Sequence, residues 1–430
     1  MARSALLQLT GVSLTFGGDP IFDDLGLVVQ EGDRAALVGR NGSGKSTLMK
    51  VMAGLVLPDQ GARSVPGGTS VGYLHQEPDF SPYSSLGDYA LADLGPENSY
   101  LIERSAEGLK LALDTHPDKA SGGEKRRAAL ARLLAEDPDL MLLDEPTNHL
   151  DIDAIRWLEG KLQSTRKAFI TISHDRAFLN RLTRQTLWID RSVVRRQDRG
   201  FDRFEEWRDK IWADEDISRH KLDRKIKDEG RWAVEGISAR RKRNMGRVRA
   251  LADLRQSRSD MIRRQGTADF NLGGGPKSGR KVLEATGLNK SFGDLPIISN
   301  FDLRVLRGDR IAFVGPNGSG KTTLLKMFLG EIAPDTGTVT HGTNLDVAVF
   351  DQSRAQLDQA ASLWDNLTLD KHMAVQGRSD QVMVRGEPRH VIGYLKDFLF
   401  SEDQARAPVR SLSGGEKARL LLAKLMAQPS

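Results

Sequence analysis

Short apolar runs alternate with stretches of helical periodicity in both halves of this chain. In the first half the β-type runs cover residues 6–9, 27–29, 35–38, 140–143 and 168–172. The corresponding runs in the second half cover residues 282–284, 303–305 and 311–314. Helical patterns cover residues 47–52, 123–135 and 323–329. Strands that alternate with helices predict α/β domains with a largely parallel sheet.

A glycine-rich motif follows an apolar run in each half. The two motifs read Gly39-Arg40-Asn41-Gly42-Ser43-Gly44-Lys45-Ser46, followed by Thr47, and Gly315-Pro316-Asn317-Gly318-Ser319-Gly320-Lys321-Thr322, followed by Thr323. Both fit the P-loop pattern, in which backbone N–H groups surround phosphates and the lysine reaches the terminal phosphates. The hydroxyl of Ser46 or Thr322 then binds Mg²⁺. The sequence therefore predicts two nucleotide sites, each between a strand and a helix.

The two halves form an internal repeat. Three matching pairs lie 276 residues apart (321 − 45): Phe16 and Phe292, Lys45 and Lys321, Gln76 and Gln352. A second motif, Ser121-Gly122-Gly123-Glu124, recurs 292 residues later (413 − 121) as Ser413-Gly414-Gly415-Glu416. A duplicated domain explains both separations, because 16 extra residues (292 − 276) between the glutamine and the second motif of the second copy account for the difference.

Two adjacent carboxylates, Asp144 and Glu145, follow the apolar run 140–143. This arrangement suits magnesium-assisted hydrolysis, with Asp144 near the metal and Glu145 polarising the attacking water. The alternative is a strand that merely ends in an acidic turn, and the nearby P-loop makes it the weaker interpretation. His174 follows the next run and would lie at the same sheet edge, where a structural histidine is the alternative.

Composition indicates an ordinary globular protein of two or three domains. The 430 residues are 39% hydrophobic and 28% charged, and no run approaches the ~20 apolar residues that cross a bilayer. Residues 1–16 are interrupted by polar residues and glycine, so we expect a first strand rather than a signal peptide. The absence of cysteine excludes disulfides and thiolate metal sites and favours a cytoplasmic location.

Charge is concentrated in a linker between the halves, at residues 201–270. Spacing of apolar residues predicts two antiparallel helices, with a break at 234–238 and a second helix capped by Ser238. Residues 240–264 contain ten Arg or Lys and two acids, a net charge of +8, whereas the whole chain carries +5. We expect nucleic-acid contact, through phosphates and shape, from Arg240, Arg241, Lys242, Arg243, Arg247 and Arg249. A solvated charged helix is the alternative.

The motifs occur in the order of the ATP-binding cassette superfamily, which the chain resembles over both halves. The run from Leu143 to Asp151, with residues 173–179, resembles the F subfamily, whose members are soluble twin-cassette ATPases that act on ribosomes. Within that subfamily, residues 236–251 are most similar to the Uup group. The resemblance implies two P-loop cassettes, each a parallel-sheet core with a helical subdomain, joined by a basic helical hairpin.

The resemblance also implies how each ATP is bound. The cassettes would pair head to tail, so that each nucleotide lies between the P-loop of one copy and the Ser-Gly-Gly-Glu motif of the other. Helices opened by Ser121 and Ser413 would attract the γ-phosphate, because helix N-termini favour anions. The remaining roles would be Mg²⁺ contact by Gln76 and Gln352, adenine stacking by Phe16 and Phe292, and γ-phosphate contact by His174. The implied partners are ribosomal RNA and peptidyl-site tRNA, without a membrane subunit.

The predicted domains are a first cassette at residues 1–200, the linker at 201–270, a glycine-rich joint at 271–281 and a second cassette at 282–430. Ala120 precedes Ser121, where the second copy and the family have leucine. The second copy ends where the first has its carboxylate strand, without a matching glutamate or histidine. We therefore expect a fragment whose second cassette is marginally stable and whose second site hydrolyses ATP poorly.

Three functions remain open on sequence grounds. The leading hypothesis is an ATP-driven translation or ribosome-assembly factor, because a basic hairpin lies between the cassettes. An ATPase that acts on branched DNA is the main alternative, since phosphate contacts alone do not separate DNA from RNA. The energising subunit of a membrane transporter is less favoured, because such a subunit has no evident use for the hairpin.

Overall fold

The computed structural model describes residues 3–15, 20–75, 78–92, 94–95, 98–235, 249–252, 254, 279–343, 345, 347–350, 357–370, 373–375, 378–412 and 414–427. The chain divides into two compact units, Met1–Arg263 and Arg264–Ser430. Across the described residues, no helix combines the length and apolar character that a membrane span requires.

The described part of the first unit contains nine strands, seven α-helices and a helical turn at residues 249–252. The strands are β1 (Ala5–Thr15), β2 (Pro20–Gln30), β3 (Arg34–Gly39), β4 (Gln60–Ser64), β5 (Val71–Tyr73), β6 (Leu140–Asp144), β7 (Ala168–Ile172), β8 (Gln185–Asp190) and β9 (Val193–Gln197). The helices are α1 (Lys45–Ala53), α2 (Leu86–Leu91), α3 (Ser99–Leu109), α4 (Gly122–Glu136), α5 (Ile152–Ser164), α6 (Arg176–Leu182) and α7 (Phe204–Glu235). The predicted α/β fold class is confirmed.

A six-stranded sheet in the order β5-β6-β7-β3-β8-β9 forms the centre of this unit. All neighbours are parallel except β8 and β9. Successive side chains of β6 enter opposite apolar cores, with Leu142 in one and Leu143 in the other. Burial on both faces explains why these strands read as continuous apolar runs. A smaller antiparallel sheet, β2-β1-β4, covers one face with α1.

Helix α7 is anchored to the sheet by an aromatic cluster, which we define as Trp188, Phe204, Trp207 and Trp212. The buried ring of Trp188 on β8 lies 5.8 Å from Phe204, 5.8 Å from Trp207 and 6.1 Å from Trp212, centroid to centroid. Glu215 adds an ion pair to Arg191 at 2.7 Å. The first three turns of the linker are therefore part of the first unit. Most of the predicted second linker helix lies outside the described residues, as do residues 271–278 of the predicted joint at 271–281.

The second unit has two small sheets and five α-helices in its described part. The strands are β10 (Lys281–Phe292), β11 (Leu295–Leu306), β12 (Thr336–His341), β13 (Ala374–Val375), β14 (Arg378–Val384) and β15 (Glu387–His390). The helices are α8 (Lys321–Phe328), α9 (Leu363–Thr368), α10 (Val391–Asp397), α11 (Glu402–Ala405) and α12 (Gly414–Ala427). Strands β10 to β12 pack against α8, whereas β14 and helices α9 to α12 share a separate core.

The strand predicted at residues 311–314 is wrong. These residues form no strand, and Ile311 and Val314 are 44% and 71% exposed. In the first unit the matching strand β3 is hydrogen-bonded between β7 and β8. No described strand of the second unit flanks residues 311–314. An apolar segment without neighbouring strands has no ladder to join, so its sequence alone does not make it a strand.

Candidate nucleotide-binding site

The first P-loop is shaped by glycines that no other residue replaces without strain. Gly44 has φ +90°, and a Cβ there would lie 2.4 Å from Cγ2 of Ile21. A Cβ on Gly39 would lie 2.7 Å from the Ser43 hydroxyl and 2.8 Å from the Ile189 carbonyl oxygen. The loop therefore turns sharply between β3 and α1, which exposes backbone N–H groups at the start of the helix.

Lys45 crosses this loop. Its ammonium donates to the carbonyl oxygens of Gly39 at 3.0 Å and Arg40 at 2.9 Å. Burial lowers the pKa of Lys45, and the nearby charges of Glu145 and Asp144 oppose that change. The Lys45 ammonium is therefore close enough to interact electrostatically with both carboxylates at the end of β6, Asp144 and Glu145.

The two carboxylates differ in backbone and environment. Asp144 ends the fully buried strand β6 and is 1% exposed. Glu145 has φ +51°, and its backbone N–H donates to the carbonyl of Ile172 at 2.9 Å, which ties it to the end of β7. Burial raises the pKa of Glu145, although His174 favours the charged form. A carboxylate with a raised pKa is a stronger base than an exposed one.

His174 approaches Glu145 from the end of β7. Its Nε2 lies 3.3 Å from Oε1 of Glu145, and its backbone N–H donates to Oε2 at 3.3 Å. The histidine side chain is 74% exposed, whereas that of Glu145 is 13% exposed. The structure therefore brings Lys45, Asp144, Glu145 and His174 to one sheet edge, with the imidazole facing outward.

Oxygen donors suited to Mg²⁺ are present at this edge. Mg²⁺ usually takes one or two carboxylates together with substrate phosphates. Asp144 supplies a buried carboxylate, and Ser46 supplies a hydroxyl in the first turn of α1. Among the described residues, no group of three or more acidic, histidine or cysteine side chains forms a self-sufficient metal site. These donors fit a Mg²⁺ ion whose coordination would be completed by nucleotide phosphates.

The Ser-Gly-Gly-Glu motif of the first unit forms a rigid helix start. Ser121 caps α4, because its hydroxyl oxygen accepts from the Glu124 N–H at 3.3 Å and its own N–H donates to the Glu124 carboxylate at 2.8 Å. The hydrogen bond from the Ser121 hydroxyl lowers the pKa of Glu124. A Cβ on Gly123 would lie 3.2 Å from Cβ of His149, so the helix start packs on the loop after the carboxylates.

The second P-loop has the same local geometry. Lys321 donates to the carbonyl oxygens of Gly315 at 2.8 Å and Pro316 at 2.6 Å. Gly320 has φ +84°, and a Cβ there would lie 2.4 Å from Cγ2 of Ile297. Phe292, the last residue of β10 in the same unit, is 53% exposed. Helix α12 begins at Gly414, as the sequence predicts.

Several predicted site residues lie outside the described part of the chain. They are Phe16, Gln76, Gln352, Ser413, Arg240, Arg241, Lys242, Arg243 and Arg247. Arg249 is described, and it is exposed on a helical turn. The roles of these residues and of Arg249 in adenine, metal, phosphate and nucleic-acid binding stay predictions.

Sequence reasoning missed two residues beside the carboxylates. Arg126 of α4 donates through Nη2 to the carbonyl oxygens of Asp144 and Glu145. Tyr73 of β5 is close to Asp144, and burial raises its pKa to about 12, so the phenol stays neutral. The only signal for Arg126 in the sequence is a difference between the repeats, because Ala418 takes its place in the second copy.

A match to a protein-family model agrees with these features. The family model described as "ABC transporter" matches residues 22–148 and 298–430. A solved structure described as the ATP-binding subunit of an ABC transporter is 22% identical with a TM-score of 0.43, covering 49% of this chain and 98% of that one.

Curated relatives match nearly the whole chain. ATP-binding protein Uup of Caulobacter vibrioides is 46% identical, over 100% of this chain and 69% of that protein. Uup of Escherichia coli K12 is 37% identical, over 99% and 72%. The energy-dependent translational throttle protein EttA of Escherichia coli K12 is 31% identical, over 94% and 79%. The chain therefore belongs to the ATP-binding cassette family, within the Uup group of its F subfamily.

Proposed function

We propose that the first unit hydrolyses ATP at the sheet edge defined by Lys45, Asp144, Glu145 and His174. The observation that carries this proposal is the environment of Glu145, a largely buried carboxylate with a raised pKa that contacts His174. Membership of the cassette family supports ATP binding and hydrolysis as the general activity. The assignment of individual roles is the proposed part.

Each side chain has a distinct role in this proposal. Lys45 binds the β- and γ-phosphates, and Glu145 accepts the proton of the attacking water. His174 orients the Glu145 carboxylate and contacts the γ-phosphate with its exposed ring. Mg²⁺, held by Asp144 and Ser46, would offset the negative charge of the phosphates. The predicted pairing of the two cassettes, and the contributions of Gln76 and of residues 413–416, stay predictions.

We further propose that the ribosome is the partner, contacted through its RNA by the basic linker. Two observations support this partner. One relative, the energy-dependent translational throttle protein EttA, is named for an action on translation. In addition, α7 is anchored to the ATP-binding unit by Trp188 and its neighbours and leads into the segment with a net charge of +8. A change in the first unit would therefore move the base of the linker directly.

A ribosome pull-down with the Glu145→Gln variant tests the partner. The variant should bind ATP without hydrolysing it, so ribosomes should be enriched with ATP and depleted without it. Glu107→Gln, a change on an exposed position of α3, serves as the control and should behave as the wild type. Absence of ATP-dependent enrichment would refute the ribosome proposal. Preferential capture of branched DNA over tRNA by the same variant would favour the DNA alternative.

A further inference from the structure

Helix α4 is joined to the carboxylates by one side chain. Arg126 lies on this helix, five residues after the Ser121 cap, and is half-buried. Its guanidinium Nη2 donates to the carbonyl oxygen of Asp144 at 2.5 Å and to that of Glu145 at 3.0 Å. These are the two residues on which the proposed hydrolysis depends, so the contact joins the Ser-Gly-Gly-Glu helix to the catalytic edge.

The backbone that Arg126 holds is strained. A left-handed conformation costs an ordinary residue about 1–2 kcal/mol, and Glu145 has φ +51°. Three hydrogen bonds hold it there: its own N–H to Ile172, the Asn148 N–H to its carbonyl at 3.2 Å, and Arg126 to the same carbonyl. Without Arg126, one of the two bonds to that carbonyl is lost, and the residue can relax toward a favoured conformation.

We propose that Arg126 is a positioning residue for ATP hydrolysis, which holds Glu145 in the conformation that directs its carboxylate to His174. This inference rests on the proposed function of the first unit. Arg126 acts through backbone carbonyls and is not itself a catalytic residue. Because it is on α4, a displacement of the Ser-Gly-Gly-Glu motif in the first unit would also shift Glu145.

The packing around α4 supports a rigid connection. Close approach of Gly123 to His149 fixes the first turn of α4 against the loop that follows Glu145. Arg126 provides a second attachment one turn later. Two attachments prevent the helix start from pivoting independently of the carboxylates. The repeat has Ala418 at the matching position, so this connection is specific to the first copy.

Two substitutions at Arg126 separate the effect of its hydrogen-bond geometry from the effect of its positive charge. Arg126→Ala removes both hydrogen bonds and the positive charge, whereas Arg126→Lys keeps the charge but presents a point donor instead of a planar fork. Arg132→Ala is the matched control, because Arg132 lies on the same helix and pairs with Glu136 at 2.9 Å, away from the carboxylates. All variants are made in the full chain, and folding is checked by thermal unfolding.

For Arg126→Ala we expect kcat to fall on the order of 10- to 100-fold, because a small displacement of a catalytic base has that effect. Equilibrium binding of a non-hydrolysable ATP analogue should be unchanged. Arg126→Lys should restore part of kcat, and Arg132→Ala should leave both kcat and analogue binding unchanged.

Two outcomes overturn the inference. One is an Arg126→Ala variant that folds and retains wild-type kcat. The other is a loss of kcat in Arg126→Ala that is fully accounted for by a loss of folded protein. The proposed function fails separately: in that case Glu145→Gln itself would retain hydrolysis, whatever the result at Arg126.

Discussion

The imidazole of His174 and the carboxylate of Glu145 lie 3.3 Å apart at the ends of two neighbouring parallel strands. Their strands β6 and β7 are in register up to the pair Asp144 and Ile172, so the next residues of both emerge at the same edge. The carboxylate is buried and the imidazole is exposed. Glu145 is therefore the inner residue of the pair, held by the protein, and His174 is the outer residue, accessible to a ligand.

His174→Ala should reduce ATP hydrolysis with little change in stability. The side chain is 74% exposed, so its removal should alter the free energy of unfolding by no more than about 0.5 kcal/mol. Loss of an orienting contact to the base should lower kcat on the order of 10- to 100-fold. Because His174 favours the charged form of Glu145, the acid limb of kcat should move to higher pH. Steady-state kinetics across pH, with His220→Ala on α7 as the control, measures both effects.

Gly44→Ala should impair both folding and nucleotide binding. The new Cβ would meet Cγ2 of Ile21 at 2.4 Å with the backbone held at φ +90°, so we expect a loss of about 1–3 kcal/mol of stability. Gly160→Ala is the control, because that position is inside α5 with no atom within 4 Å of the added Cβ. It should stabilise the protein by about 0.5–1 kcal/mol. Equal effects of both changes on unfolding would contradict the argument.

Trp207→Ala should loosen α7 from the first unit. Trp207 is half-buried and contacts the Trp188 ring at 5.8 Å, so we expect a loss of about 2 kcal/mol. Amide hydrogen exchange should become faster in residues 204–215 while β6 and β7 stay protected. Ile217→Ala, at a position that is 52% exposed on the same helix, should leave exchange unchanged. Unchanged protection in Trp207→Ala would mean that the aromatic cluster does not anchor the helix.

Asp139→Asn should remove part of the acid sensitivity of the first unit. The hydrogen bond from Lys167, with that from the Ser70 N–H, lowers the pKa of Asp139 to about 2. The folded-state pKa is depressed, so this stabilisation is present above the unfolded-state value, near 4, and is lost as pH falls toward 2. The variant should be about 1 kcal/mol less stable at pH 7, with the difference disappearing between pH 4 and 2. Denaturant unfolding at several pH values measures this; a constant difference at all pH values would refute it.

Sequence patterns were sufficient to predict the elements whose residue types are determined by their own burial, backbone conformation or capping. Strands β6 and β7 are buried on both faces, and their uninterrupted apolar residues record that burial. The P-loops were predictable because their glycines are required by the backbone itself, as the φ of +90° at Gly44 shows. The helix start at Ser121 was predictable from its capping serine and glutamate.

Features that depend on neighbours were not predictable in this way. Residues 311–314 have a strand-like sequence but lack described neighbours to pair with, so local pattern was misleading. Arg126 bonds to backbone carbonyls, and such acceptors are present at every position and leave no complementary residue in the sequence. The left-handed backbone of Glu145 was likewise not predictable, because the hydrogen bonds that hold it include one to Ile172 of β7 and one from Arg126 of α4, both distant in sequence.

The order of the six-stranded sheet has a consequence for synthesis of the chain. Strand β3, which carries the first P-loop, pairs only with β7 and β8, beginning with Arg34 opposite Phe169. At typical elongation rates of about 5–20 residues per second, the nascent P-loop strand waits on the order of 10 s for its partners. Ala35 to Val38 stay unpaired during that interval, as contacts distant in sequence form late. ATP binding is therefore a late event in the folding of the first unit, and nucleotide can stabilise only chains that have already extended beyond β8.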